Sequence, residues 1–135
     1  MLRQIGQAYL QHGAKVVVLF SRNQEKNQAV ANDLSKYGTC ISFQGDVRKP
    51  ESCKACIDKV VEQYGSLDVL VNGAAGNFLA SAEKLSVNGF KTVMDIDTVG
   101  TFNMSTAAFR GFMKANGGII INISATLHWN GSVFQ

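Results

Sequence analysis

The run LDVLVNGAAGNF, Leu67 to Phe78, is where a strand hands over to a helix, and its reading decides the fold. Its first five residues are apolar or β-branched apart from one aspartate, as in a strand set inside a sheet. The five that follow, Asn72, Gly73, Ala74, Ala75 and Gly76, carry almost no side-chain bulk. A tight turn needs only one or two glycines. Two physical causes explain the excess: a flat ligand lying against bare backbone, or a crowded crossing of strand and helix. Both stand open at this point.

Working outward, the chain repeats one pattern. Leu2, Ile5, Ala8 and Tyr9 recur at helical spacing before a stop at Gly13. KVVVLF, Lys15 to Phe20, predicts a strand covered on both faces. A polar helical stretch then runs to Gly38, and CISFQ from Cys40 predicts a second strand. Pro50 opens a helix that turns Cys53, Ile57, Val60 and Val61 inward and closes at Gly65. After the glycine loop, Ser86 caps a long helix that Gly117 and Gly118 stop, and IIINIS, Ile119 to Ser124, is the fourth strand. Helices alternating with apolar strands, without hairpin signals, predict a doubly wound α/β domain of Rossmann type over residues 1–135.

Composition narrows the classes. With 135 residues, 46% hydrophobic and 17% charged, the chain has the make-up of one globular domain rather than a disordered or collagen-like one. The longest apolar runs fall short of a transmembrane helix, which predicts an intracellular protein without a membrane partner. A net charge of +3, dispersed, gives no electrostatic argument for nucleic acid. Three cysteines, Cys40, Cys53 and Cys56, fit a reducing compartment. The pair in CKAC lies within an amphipathic helix and lacks the context of a zinc or redox site, so it reads as packing. The sequon at Asn122 falls on a strand expected to be buried.

In a doubly wound sheet, ligands sit beyond the carboxyl ends of the strands. Three strand ends carry candidates. After the first, Ser21, Arg22 and Asn23 stand where an acid would bond a ribose 2′-hydroxyl; a guanidinium suits a 2′-phosphate instead, which favours NADP. An ordinary exposed arginine is the alternative. After the second, Asp46 can accept from an adenine amino group and Arg48 can reach an anion, although an acid is also favoured at a helix start. After the third comes the bare loop, whose Asn72, Gly73 and Ala74 are candidates for cofactor contact.

These residues carry a resemblance. LDVLVNGAAG, GDVR and GGIIINIS together resemble the short-chain dehydrogenase/reductase superfamily over nearly the whole chain. NGAAGNFLA, FKTVMDIDTVGTFN and NISATL are similar, more specifically, to the peroxisomal 2,4-dienoyl-CoA reductases. The superfamily's long helix usually carries an asparagine three residues before a glycine, and DIDTVG places Asp97 there. The next strand usually ends in a catalytic serine, where NISAT has Ala125 after Ser124. Carbonyl reduction in the superfamily relies on a serine and a tyrosine, and no tyrosine here has a lysine four residues on. The dienoyl-CoA reductases dispense with that tyrosine.

The resemblance implies hydride transfer from NADPH to a 2,4-dienoyl thioester and protonation next to the carbonyl, giving a 3-enoyl-CoA. Asp97 would hold the water that donates the proton, together with a later lysine. Without the resemblance, Asp97 reads as a helix aspartate bonded to a nearby backbone amide. The same carry-over places Arg22 and Arg48 near cofactor and CoA phosphates, with Phe78, Ser86, Val87 and Asn88 along the acyl-CoA path; Phe78 as plain core is the alternative. It further implies degradation of unsaturated fatty acids in the peroxisome and a homo-oligomer built on the long helices. The apolar face of TAAFRGFM would serve an oligomer, or plain intramolecular packing.

The superfamily's first strand and its glycine-rich pyrophosphate turn have no counterpart ahead of Leu2, and the lysine-bearing helix has none before Gln135. The sequence therefore reads as an incomplete NADP-binding reductase domain. The lost strand would lie between KVVVLF and LDVLV, so its absence predicts two strand pairs with open apolar edges. Another short-chain reductase, acting on an enoyl or carbonyl group, is one rival reading. A catalytically inactive product that only binds a partner is another, and a flavodoxin-like or receiver module is more distant.

Overall fold

The computed structural model of the chain describes residues 1–125. Helix α1 (Leu2–Gln11) leads into β1 (Val17–Ser21), α2 (Gln24–Leu34) with a 3₁₀ turn at Ser35–Tyr37, then β2 (Cys40–Gln44) and α3 (Pro50–Tyr64). After β3 (Val69–Asn72) and the glycine loop, α4 (Val87–Met94) begins a helical run that continues to Asn116, and β4 (Ile119–Asn122) closes the described part. The order of elements is the expected one.

Their ends follow from local chemistry. The Asn23 Oδ1 accepts from the Lys26 amide at 2.9 Å and caps α2. Pro50 occupies the first turn of α3, where its missing N–H costs nothing. Gly65, at φ +77°, ends that helix in the left-handed region, its N–H bonding the Val61 carbonyl at 2.8 Å. The Ser86 Oγ accepts from the Gly89 amide at 3.0 Å, the cap anticipated for the long helix.

That helix departs from expectation in one respect. It is not uniformly α: Asp95–Val99 and Phe109–Met113 are π-helical, separating α4 from α5 (Gly100–Ala108) and α5 from a last turn, α6 (Lys114–Asn116). Inserted π turns of this kind occur frequently at functional sites.

Among the described residues all strand pairing is parallel, but it forms two separate pairs. The register of β1 and β2 sets Val17 against Cys40 and Ser21 against Gln44. That of β3 and β4 sets Val69 against Ile119 and Asn72 against Asn122. No pairing joins β1 to β3 among the described residues. A cavity of about 970 Å³ lies between them, walled by Val18, Phe20, Val69 and Val71 and closed by Leu2 of α1 and Ile57 of α3. The two pairs with open apolar edges are as expected.

Burial corrects two strand expectations. β1 is half-buried rather than covered, because one flank borders the cavity. β4 is exposed along its length, with Ile119 59% accessible, so Asn122 does not lie on a buried strand. The packed core sits instead between α3 and the long helix, where Cys53, Ile57, Met104, Ala108 and Met113 meet and Phe20, Val47 and Phe112 close around them. Much of the TAAFRGFM face is therefore intramolecular packing, while its Phe109, and Phe102 ahead of it, remain exposed. Cys53 and Cys56 are buried in the helix, and their thiols are pushed up to about 11, mainly by burial.

Candidate active site

The carboxyl ends of the strands bring the first group of predicted residues together. At the end of β1, Ser21, Arg22 and Asn23 line an open recess of about 440 Å³. Arg22 is exposed and free to reach a ligand, whereas the Asn23 side chain is engaged in capping α2. Beyond β2, the Arg48 Nε donates to both Asp46 carboxylate oxygens at 3.0 Å and its Nη2 to Oδ2 at 2.5 Å. The Arg48 amide adds a bond to Oδ1 at 3.0 Å. This guanidinium holds the Asp46 carboxyl down at about 2, against the opposing effect of burial; the charge of Arg22 acts in the same direction. Two arginines thus flank one ionised carboxylate, leaving a net positive rim suited to phosphate.

The glycine loop has a packing explanation as well as a ligand one. A Cβ at Gly73 would stand 2.5 Å from the Leu2 side chain, and one at Gly76 2.7 Å from that of Ile96. Crowding therefore excludes larger residues there whether or not a ligand approaches. Asn72, whose side chain was a cofactor candidate, is buried and spends both amide hydrogens within the protein. Its Nδ2 donates to the Ser105 Oγ and the Asn122 Oδ1, each at 2.9 Å, joining β3, β4 and the long helix.

Asp97 lies in the first π turn, and its Oδ1 accepts from the Gly76 amide at 2.6 Å. The backbone bond foreseen for a helix aspartate is thus present, and it reaches into the glycine loop. The Asp97 Oδ2 has no protein hydrogen bond among the described residues. The acyl-path candidates also converge: a Cβ at Gly89 would meet the Phe78 ring at 2.7 Å and the Ser86 Oγ at 3.2 Å. Phe78 is 46% accessible and Val87 83%, so neither is plain core. Asn88 is exposed and its carbonyl accepts from the Thr92 hydroxyl at 2.7 Å. Ser124 and Ala125 end the described residues, and the rest of the NISATL motif lies outside them.

Parallel strands, a bare loop after β3 and a long helix with π turns coincide with a family model described as short chain dehydrogenase, which matches residues 3–134. The chain belongs to the short-chain dehydrogenase family. It is 45% identical to the peroxisomal 2,4-dienoyl-CoA reductase of Arabidopsis thaliana, an alignment covering 98% of this chain and 47% of that protein. The crystal structure of a short chain dehydrogenase from Bacillus anthracis matches 98% of this chain and 55% of its own, with a TM-score of 0.90 at 33% identity. An actinorhodin polyketide ketoreductase solved with NADPH superposes with a TM-score of 0.91 at 27% identity, over 98% of this chain and 51% of its own. The chain spans about half the length of the curated relatives it matches.

Several residues of this short-chain dehydrogenase site escaped the reading of its sequence. Asn103 is buried and its Nδ2 donates to the Val47 carbonyl at 3.0 Å, tying the loop of Asp46 and Arg48 to the long helix. Ser105 receives Asn72, and Gly100 lies against Val47. Polar residues in a helix read as solvent-facing by default, so only their i+3 alignment with Asp97 and Gly100 could have marked Asn103.

Proposed function

We propose that this chain belongs to an NADPH-dependent 2,4-dienoyl-CoA reductase that serves degradation of unsaturated fatty acids in the peroxisome. The observation that carries the proposal is 45% identity over 98% of the chain to a protein of that name. An aspartate on a π turn, bonded to the glycine loop beyond β3, supports it. NADPH, when bound, supplies the hydride.

The residues at the ends of β1 and β2 fit the 2′-phosphate and adenine of that group. Arg22 and Arg48 give a cationic rim beside the recess at the end of β1, and a phosphate can draw Arg48 from its carboxylate partner. Asp46 offers an acceptor oxygen to an adenine amino group, and Asn23 borders the same recess. Gly73 and Ala74 line the cavity beyond β3 and are the cofactor contacts of the proposal there, with Asn72 fixing their strand end. Arg48 also faces the CoA phosphates, while Phe78, Ser86, Val87 and Asn88 flank the entry of the acyl chain.

Asp97 has the proton-handling role. One carboxylate oxygen is anchored by the Gly76 amide, which fixes its orientation, and the other can hold a water that protonates the substrate carbon next to the thioester carbonyl. A homo-oligomer formed along the long helices is part of the proposal, with exposed Phe102 and Phe109 as its apolar contacts.

The test is NADPH consumption by the native protein with 2,4-dienoyl-CoA, followed by location of the remaining double bond. A 3-enoyl-CoA product is expected. Reduction of a ketone but not of the dienoyl thioester would replace this reading with a carbonyl reductase.

A further inference from the structure

The loop between β2 and α3 carries Asp46 and Arg48; its first residue is tied to β1, the Gly45 amide donating to the Ser21 carbonyl at 3.0 Å, and the rest is held from two directions. Contacts from α3 are local: the Ser52 hydroxyl accepts from the Asp46 amide at 3.1 Å, and the Cys53 thiol lies 3.5 Å from the Val47 carbonyl. These fix the loop to the helix that follows it. They do not fix it relative to the glycine loop.

The remote contact comes from the long helix. The Asn103 Nδ2 donates to the Val47 carbonyl at 3.0 Å across 56 residues of sequence, and the amide carrying it is buried. One turn earlier, Gly100 leaves no room for a side chain: a Cβ there would stand 2.6 Å from the Val47 Cγ2 and 3.0 Å from its Cβ. Three residues earlier again, Asp97 holds the Gly76 amide. Asp97, Gly100 and Asn103 follow one i+3 ridge of the helix, so a single element grips both loops.

We propose that Asn103 is a positioning residue, which with Gly100 sets the distance of the Asp46–Arg48 loop from the glycine loop and so the geometry in which the two ends of a dinucleotide are received. The inference rests on the NADPH reading above for its ligand, but not for its mechanics. A Val47 carbonyl that loses its remote donor keeps only the weak thiol bond from α3, and the loop is then held to the long helix by side-chain packing alone.

The experiment compares native protein with Asn103→Ala, Asn103→Gln and Gly100→Ala by amide hydrogen exchange and by NADPH titration. In Asn103→Ala, the Arg48 and Lys49 amides exchange about tenfold faster or more, while those of α2 are unchanged. NADPH binding weakens by about tenfold, the scale of one lost buried hydrogen bond. Asn103→Gln, which keeps a donor, recovers part of both. Gly100→Ala pushes Val47 outward with the donor intact and weakens NADPH in the same way; it carries the test if Asn103→Ala does not fold.

Exchange and affinity both within about twofold of native in the folded variants would overturn the proposal, as would faster exchange with unchanged affinity. A native protein that binds no NADPH would sink the cofactor reading instead. The exchange rates would then decide alone whether Asn103 sets the loop.

Discussion

Asp46 and Arg48 share a fork of hydrogen bonds that neither residue type foretells by itself, and the pair gives the protein a specific response to acid. The folded carboxyl titrates at about 2, below its ordinary value of 3.8. Its contribution to stability is therefore complete above the unfolded value and fades as pH falls from about 4 toward 2. Asp46→Asn is expected to flatten that part of the stability profile and leave the profile above pH 5 parallel to native, as read by urea midpoints across pH. Asn72→Ala should cost about 1 to 2 kcal/mol in the same assay, because the Ser105 hydroxyl and the Asn122 amide lose a shared donor. An Asn72→Ala protein as stable as native would show that this network contributes nothing.

At the scale of elements, the strands and helices were legible because their signals are local. The β-branched run before Ser21, Pro50 at a first turn, Gly65 at φ +77° and the serine ahead of Val87 each state a boundary in one or two residues. The π turns in the long helix were not legible: a π turn arises from how carbonyls re-pair under packing, and no residue between Met94 and Gly100 forces the first of them. The same limit hid Asn103, whose donor finds its acceptor 56 residues away. Caps offer a clean test of what a residue does for its element. Asn23→Ala should cost about 1 kcal/mol by freeing the Lys26 amide. If Asn23 serves only the helix, NADPH affinity in that variant stays at the native value; a large loss of affinity would give its side chain a direct place in the recess.

For the whole molecule, the deciding feature is the cavity of about 970 Å³ between the two strand pairs. Val17 donates to the Thr39 carbonyl and Ser21 accepts from the Gly45 amide, so alternation turns the backbone groups of Val18 and Phe20 toward the cavity. By the same alternation, Asp68 and Asn72 accept from Ile119 and Ile123, which turns Val69 and Val71 inward from the other side. The amides of Val18, Phe20, Val69 and Val71 should therefore exchange faster than those of Val17, Leu19 and Leu70 in this chain, a pattern that hydrogen exchange resolves residue by residue. Uniform protection along β1 and β3 would mean that something pairs with both inner edges in solution. The two-pair arrangement was legible through the family's strand order, while the exposure of β4 was not, because an apolar run does not say which of its faces is covered.

The proposed reduction of a dienoyl thioester through Asp97 is open to direct test. The most direct measurement is the rate of NADPH consumption with 2,4-dienoyl-CoA by the native protein carrying this sequence, set beside that of its Asp97→Ala variant. A fall of about a hundredfold or more in kcat, with NADPH binding retained, is the predicted result. Undiminished turnover in Asp97→Ala would contradict it, and would leave the Asp97 carboxylate as the structural anchor of the Gly76 amide alone.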